Sequence, residues 1–525
     1  MGVYLNPDNE GFTAAKRSKI YVDKTELIAY TNEVLGTEQR YICVSRPRRF
    51  GKSMAANMLC AYYSKENDSR SLFQDLKIAG HCSFEEHLNQ HDVLFFNIQQ
   101  FLSGAADACE LVPYLQRVVL NELKEVYEEW IPEGECRLAS ALTSVFSKDR
   151  RKQKGFIIIL DEWDCVFREA KENETAQKIY LDFLKDLFKD RTYVKLAYMT
   201  GILPIKKYGT HSALNIFDEF SMMDQGVLAS YTGFLEDEVK ALCGQHAREF
   251  ENARLWYDGY QFADNIHVYN PKSIVDAVRT GKFKSFWTHT ETYEALKVYF
   301  NMNYDGLKDS IIAMLGGEKW RINPRTFQND MTSFQSRDDV LTLLVHLGYL
   351  AYEEESKSVF IPNLEIAEEF KNAVEGTAGW ERIAEIIVNS EKILEATLRM
   401  DERIVAKGID AVHSENTSIL SYHDENSLSC VITLAYFGVQ REYILIRELP
   451  AGKGFADIVF LPRKGVDKPA FVVELKWDKT AEGAIRQIRE KRYCGKLSEY
   501  SGKVVLVGIN YDRKSKEHQC KIEEL

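Results

Sequence analysis

The sequence predicts a multidomain α/β protein: a parallel sheet with helices on both faces, then a mostly helical middle, then a compact α/β unit. Three observations predict it. Short apolar runs alternate with amphipathic stretches over the first 210 residues, the pattern of strands linked by crossover helices. Phe156–Leu160 is apolar at every position, as a central parallel strand buried on both faces must be. A chain of 525 residues exceeds what one hydrophobic core organises, so two to four domains are expected.

The elements follow in order. Tyr41–Ser45, Val93–Ile98, Phe156–Leu160 and Val194–Met199 read as strands, and Met54–Tyr63 and Leu111–Glu129 show helical spacing. Residues 1–215 form the first expected domain, 216–400 the helical middle and 401–525 the last. In the middle, Trp256-Tyr257-Asp258-Gly259-Tyr260-Gln261-Phe262 and Tyr269-Asn270-Pro271 form an aromatic-rich turn ahead of a helix. Core packing of these rings is the preferred expectation over base stacking. Asp338–Phe370 reads helix, strand, acidic turn, strand, helix, the pattern of a winged-helix-like unit and also of an ordinary α+β connector. Gly379–Met400 reads as a charged bridging helix.

Composition narrows the class. With 45% hydrophobic and 28% charged residues the chain is globular. No apolar run approaches the ~18 residues of a membrane span, and the first residues lack the pattern of a signal peptide, so no membrane partner and a cytoplasmic location are expected. Ten cysteines without a C-x-x-C pair favour buried thiols over disulfides or zinc. The net charge is −12, but residues 421–525 hold 18 Lys and Arg against 15 Asp and Glu. A polyanion therefore docks most easily on that end.

Ser45-Arg46-Pro47-Arg48-Arg49-Phe50-Gly51-Lys52-Ser53 lies between a predicted strand and a predicted helix. A phosphate-binding loop needs that context, because backbone N–H groups and the helix N-terminus face the anion. Gly51 permits close approach, Lys52 reaches the β- and γ-phosphates, and Ser53 ligates Mg²⁺. Arg46 occupies the place of the usual first glycine. Arg46, Arg48 and Arg49 are expected to grip phosphate or a neighbouring acidic surface. Downstream, Phe156–Leu160 ends in Asp161-Glu162. Asp161 would hold the Mg²⁺ shell and Glu162 would orient and deprotonate the attacking water. Thr200, after Val194–Met199, places a hydroxyl where it senses the γ-phosphate. ATP and Mg²⁺ are thus the expected ligands.

A second pattern lies near the C-terminus. Asp457 opens the strand Ala456–Leu461 and Glu474 lies near the end of Phe471–Lys476, with their midpoint inside the polar turn Arg463–Lys468. An antiparallel hairpin sets the two carboxylates side by side, a hard oxygen site for Mg²⁺ or Mn²⁺. Lys476 shares the sheet face of Glu474, two residues on. There it would orient a water and stabilise a phosphorane-like transition state. Glu425, beginning an amphipathic helix Asn426–Phe437, adds a third carboxylate. Gln487 lies on a basic helix Glu482–Tyr493 and reaches the scissile phosphate.

These residues resemble the bacterial AAA-ATPase-like family, through Arg46–Ser53, Trp256–Tyr260 and Tyr269-Asn270-Pro271. Members typically carry a C-terminal PD-(D/E)XK nuclease-superfamily domain, and the tail is similar through Glu425-Asn426, Gly454–Asp457, Glu474-Leu475-Lys476 and Ala484–Ile488. The resemblance implies that Arg46 in place of glycine is normal. It also implies a P-loop sheet and an αβββαβ restriction-endonuclease-like core, with Glu425, Asp457, Glu474, Lys476 and Gln487 at the site. Phe455, where many relatives carry arginine, departs from the pattern and weakens the expected phosphate grip.

The expectation is an ATP-hydrolysing protein fused to a divalent-metal-dependent nuclease, acting on nucleic acid, DNA foremost, and assembling as a homo-oligomer. Two alternatives stay open: a nucleotide-switched binding module with an inactive nuclease fold, and a signalling ATPase acting on a protein partner.

Overall fold

The computed structural model describes residues 2–148, 155–205, 214–262, 265–287, 292–302, 304–329, 331–416, 431–451, 454–463, 466–490 and 502–525. The chain forms two compact units, Met1–Lys284 with Arg321–Pro362, and Ser285–Trp320 with Asn363–Leu525.

The first unit is built on strands β1 (Tyr41–Ser45), β2 (Asp92–Asn97), β3 (Phe156–Asp161), β4 (Val194–Gly201) and β5 (Asp218–Phe220). They pair in the order β2-β3-β4-β1-β5, all parallel. Alternation along the strands divides the core. Ile42, Val44, Ile157, Ile159, Leu196 and Tyr198 face helices Glu26–Val34 and Lys52–Tyr63, where Leu27, Ile28, Leu59, Tyr62 and Tyr63 are buried with them. Each such Ile, Leu or Val side chain contributes roughly 1.5–3 kcal/mol by leaving water. Cys43, Ile158, Leu160 and Met199 are equally buried on the other face. Helix Glu174–Phe188 covers that side, with Tyr180 neighbouring Cys43. The strands' carboxyl ends therefore share one edge, where an open parallel sheet binds its ligands. β5, only three residues long at that sheet's margin, is an element the sequence pattern does not reveal.

The mostly helical region that follows also contains short strands. β6 (Phe234–Leu235), β7 (Tyr260–Phe262) and β8 (Ile266–Tyr269) pair in the order β6-β8-β7. After the two-residue β9 (Trp320–Arg321), helix Arg337–Leu347 leads into the hairpin of β10 (Ala351–Glu353) and β11 (Ser358–Phe360), and helix Leu364–Glu375 follows. Helix, strand, strand, helix thus succeed one another as the pattern of Asp338–Phe370 predicts.

In the second unit helices Glu381–Leu398 and Glu402–Asn416 pack together and the latter lies on a five-stranded sheet. Its strands are β12 (Tyr443–Ala451), β13 (Gly454–Pro462), β14 (Ala470–Trp477), β15 (Val504–Asp512) and β16 (Glu517–Glu524), in sequence order. Helix Ala481–Glu490 connects β14 to β15 as a parallel crossover, and the other pairs are antiparallel. With the helical residues 431–435 ahead of β12, the αβββαβ order is complete, and β16 adds an edge strand.

Among the described residues no helix is long and apolar enough to cross a membrane. The eight described cysteines are all free: Cys43, Cys60, Cys165 and Cys243 are buried, whereas Cys82 and Cys136 are exposed.

Candidate functional sites

The loop between β1 and helix Lys52–Tyr63 is shaped by two left-handed residues, Arg49 (φ 72°) and Gly51 (φ 86°). A Cβ at Gly51 would meet only the tip of Met54, at 4.0 Å. Its glycine thus serves the conformation rather than space. Lys52 is buried and its Nζ donates to the Pro47 carbonyl at 2.9 Å. Burial pulls its pKa down, opposed by the negative charges of Glu162, Asp164 and Asp161.

Those carboxylates sit at the end of β3. Asp161 is 2% exposed, and the Thr200 hydroxyl donates to its Oδ1 at 2.5 Å. Glu162 is held in a left-handed conformation (φ 55°) and accepts from an Nη of Arg168. Arg168 Nε also reaches Asp164 Oδ2 at 3.1 Å, and that same oxygen accepts the backbone N–H groups of Ile202 and Leu203. Burial pushes the Glu162 carboxyl above its usual range, while Lys52 and Arg168 act the other way.

A cleft of about 900 Å³ opens over these groups. Arg48, Arg49, Gly51, Lys52, Ser53, Asp161, Glu162 and Arg168 line its polar end, while Ile20, Tyr21, Val22, Phe234 and Pro271 contribute apolar wall. Thr200 is fully buried behind Asp161 and is not part of the lining. Arg46 is also directed elsewhere. It is fully buried, and its Nη1 donates to the carbonyls of Ser45, Phe220 and Ser221, so the guanidinium ties the loop to the end of β5 rather than facing the cleft. Without a countercharge, burial lowers its pKa to about 10.

The aromatic motif packs against this loop. Tyr260 meets Phe50 edge-on, at 5.6 Å between ring centres, and Phe262 lies 5.3 Å from the Arg46 guanidinium. The neighbouring turn is fixed by Gly259 (φ 112°), where a Cβ would stand 2.0 Å from the Pro362 carbonyl oxygen. Farther on, Asn270 caps helix Pro271–Thr280 through its side chain, bringing Pro271 and Lys272 to the cleft wall. Arg168, Asp164 and Lys272 are residues that sequence spacing did not single out.

In the second unit, β13 and β14 form the predicted hairpin, with Ile458 opposite Val473, Val459 opposite Val472 and Phe460 opposite Phe471. Continued by one step, this register would set the backbone of Asp457 across from Glu474. The Asp457 side chain and the whole of Glu425 lie outside the described residues. Glu474 is fully buried, yet Lys476 Nζ stands 3.1 Å from its Oε1 and Gln487 Nε2 donates to the same oxygen. A missing side chain explains how Gln487 gets there. Gly508 on β15 pairs with Glu474, and a Cβ on it would stand 2.4 Å from the Ala481 carbonyl and 3.0 Å from the Ala484 side chain. Helix Ala481–Glu490 therefore lies close on the sheet, where Ile485 and Ile488 join Val459, Val472 and Leu506 in a buried cluster. Val473 and Leu475 are buried on the opposite face.

Comparison with known proteins agrees with this division. Residues 12–210 match the AAA-ATPase-like family, described as predicted AAA-ATPase. Residues 423–521 match the PD-(D/E)XK nuclease superfamily. A protein of Azotobacter chroococcum mcd 1, described as an uncharacterized protein in the vnfD 5′ region, is 24% identical over 281 residues, or 52% of this chain. The chain spans about half (51%) of the length of that curated relative. Among solved structures, replication initiator DnaA bound to AMPPCP and single-stranded DNA is similar at 11% identity and a TM-score of 0.27, covering 79% of this chain and 93% of its own. Cdc6p from Pyrobaculum aerophilum is similar at 9% identity and a TM-score of 0.25, covering 71% and 99%.

Proposed function

We propose that this chain, which carries an AAA-ATPase-like domain and a PD-(D/E)XK nuclease-superfamily domain, hydrolyses ATP and cleaves nucleic acid, DNA foremost. The observation that carries the reading is the convergence of Lys52, Ser53, Asp161, Glu162 and Arg168 on one cleft at the carboxyl edge of a parallel sheet.

The donor set fits a nucleotide with Mg²⁺. Lys52, a buried cation whose one carbonyl bond leaves further N–H donors, supports binding of phosphate oxygens. The loop's N–H groups and the start of helix Lys52–Tyr63 add positive potential. Ser53 and Asp161 would hold Mg²⁺, and Thr200 fixes the Asp161 carboxylate that does so. When bound, Mg²⁺ neutralises charge developing on the phosphates. Glu162, with a raised pKa, is suited to accept a proton from water, and Arg168 holds it in place.

At the second site the supporting observation is a buried carboxylate, Glu474, with Lys476 and Gln487 on one oxygen. Asp457 and Glu474, with Glu425 as a third carboxylate, would hold Mg²⁺ or Mn²⁺, which polarises a scissile phosphate and its attacking water. Lys476 then stabilises negative charge on the phosphoryl oxygens, and Gln487 orients Glu474 or the phosphate. We place this activity in the cytoplasm, in a homo-oligomer.

Calorimetric titration with ATP and Mg²⁺ tests the first half. The wild type binds, and Lys52→Ala loses about 10- to 100-fold in affinity, the worth of a hydrogen bond from a charged group. Equal affinity in the variant, or no binding by the wild type, refutes the assignment.

A further inference from the structure

Part of the motif around Trp256–Tyr260 and Tyr269-Asn270 is left unexplained by packing. Asp258 follows helix Phe250–Tyr257 as its C-cap, is 8% exposed, and sits at the negative end of that helix's dipole. A buried carboxylate is disfavoured there and calls for a compensating cation. Arg254 supplies little, since its Nε is 3.8 Å away and its side chain is 53% exposed. His267 on β8 is close, with Nδ1 at 2.9 and 3.0 Å from the two carboxylate oxygens. Glu236, the first residue of helix Glu236–Gln245, brings a second carboxylate. Ligand atoms of Glu236, Asp258 and His267 all lie within 4.8 Å of one another. A fourth group points the same way. Tyr269 is fully buried, and its hydroxyl faces Asp258 and Glu236 without a well-formed hydrogen bond.

We propose that Glu236, Asp258 and His267, with the Tyr269 hydroxyl beside them, form a binding site for a borderline divalent cation, Zn²⁺ foremost and Mn²⁺ next. Ligands at about 2.1 Å from an ion stand about 3.4 Å apart around tetrahedral Zn²⁺, and about 3 Å apart at the right angles of an octahedral ion such as Mn²⁺. The Asp258–His267 separation of 2.9 Å lies within about half an ångström of both figures, and side chains at the 4.8 Å outer limit close on the ion by rotamer shifts of about 1.4 Å at most. The single imidazole selects against Mg²⁺ and Ca²⁺, which prefer oxygen alone. Such an ion fastens the start of one helix, the end of another and β8. Since β8 runs directly into Asn270, Pro271 and Lys272, it also fixes the wall of the nucleotide cleft.

The test uses the full chain, stripped with chelator and free of nucleotide. Zn²⁺ titration gives one more bound equivalent in the wild type than in His267→Ala or Glu236→Gln, and raises the melting temperature of the wild type but not of those variants. Glu474→Gln retains the rise, which separates this ion from one at the nuclease-like site. Anomalous scattering from Zn²⁺-soaked crystals places a peak between Glu236, Asp258 and His267. Glu236→Gln alters a partly exposed group and keeps the test valid where His267→Ala does not fold. Wild-type stoichiometry in both variants, or no peak at the triad, overturns the proposal.

Discussion

Arg46 shows how a single residue departs from a motif and takes a structural part in the loop instead. A glycine at that place leaves the loop's entry to backbone geometry alone. Arginine instead reaches across to the carbonyls of Phe220 and Ser221 and so anchors the loop to the next strand. The sequence made the cationic run visible but not its direction, because burial of a guanidinium depends on carbonyls 170 or more residues away. The placing of Gly51, Lys52, Ser53, Asp161 and Glu162 on one cleft was legible because each adjoins a strand end or the turn after it. Arg168 was not, since its bridge between Glu162 and Asp164 exists only once the turn after β3 has folded. That bridge yields a pH prediction. The positive charge of Arg168 lowers the Glu162 pKa against the larger raising effect of burial. Arg168→Gln removes this lowering, so Glu162 titrates at still higher pH. Because a general base works deprotonated, the acid limb of the ATPase rate moves to higher pH in Arg168→Gln and returns toward the wild-type position in Arg168→Lys. An acid limb that stays in place in Arg168→Gln contradicts the assignment of Glu162 as the base.

Elements were legible where their pattern is local and strong. Short, mainly apolar runs gave β1 to β4, and the symmetry of Asp457 and Glu474 about Arg463–Lys468 anticipated the register in which Ile458 faces Val473. The three-residue β5 and the two-residue β6 carry too few side chains for alternation to register. The aromatic motif was expected to pack rather than stack on bases, and its rings do pack, on Phe50 and Arg46 of the loop. Helix Glu402–Asn416 offers a prediction of its own. His413 is 3% exposed, with its ring 4.5 Å from Tyr511 and 5.0 Å from His518. Burial, aided by His518, lowers its pKa from 6.5 to about 4. A group whose pKa is depressed by folding lends stability above its unfolded value and loses it as pH falls through the folded one. Calorimetric melting of the unit containing it should therefore weaken between pH 6.5 and about pH 4, and His413→Phe should flatten part of that dependence. An unchanged pH slope in the variant contradicts a buried neutral imidazole.

At the scale of the molecule, the chain divides into two units whose boundaries cross the stretch between residues 216 and 400, so that stretch is shared between them. Composition alone cannot show such a division, because helices in both units bury similar apolar faces. The charge distribution is legible, with the excess of acidic residues confined to the first 420 and a slight basic excess beyond. The central claim, that a nucleotide-binding fold is joined to a working phosphodiesterase, rests most heavily on Asp457 and Glu474. Incubation of the purified wild type with DNA and RNA substrates in Mg²⁺ or Mn²⁺, beside Asp457→Ala and Glu474→Gln, tests it most directly. The account predicts cleavage that EDTA abolishes and that both substitutions eliminate in protein of unchanged circular dichroism. Wild-type protein that leaves every substrate intact, or variants that cut as the wild type does, would contradict it.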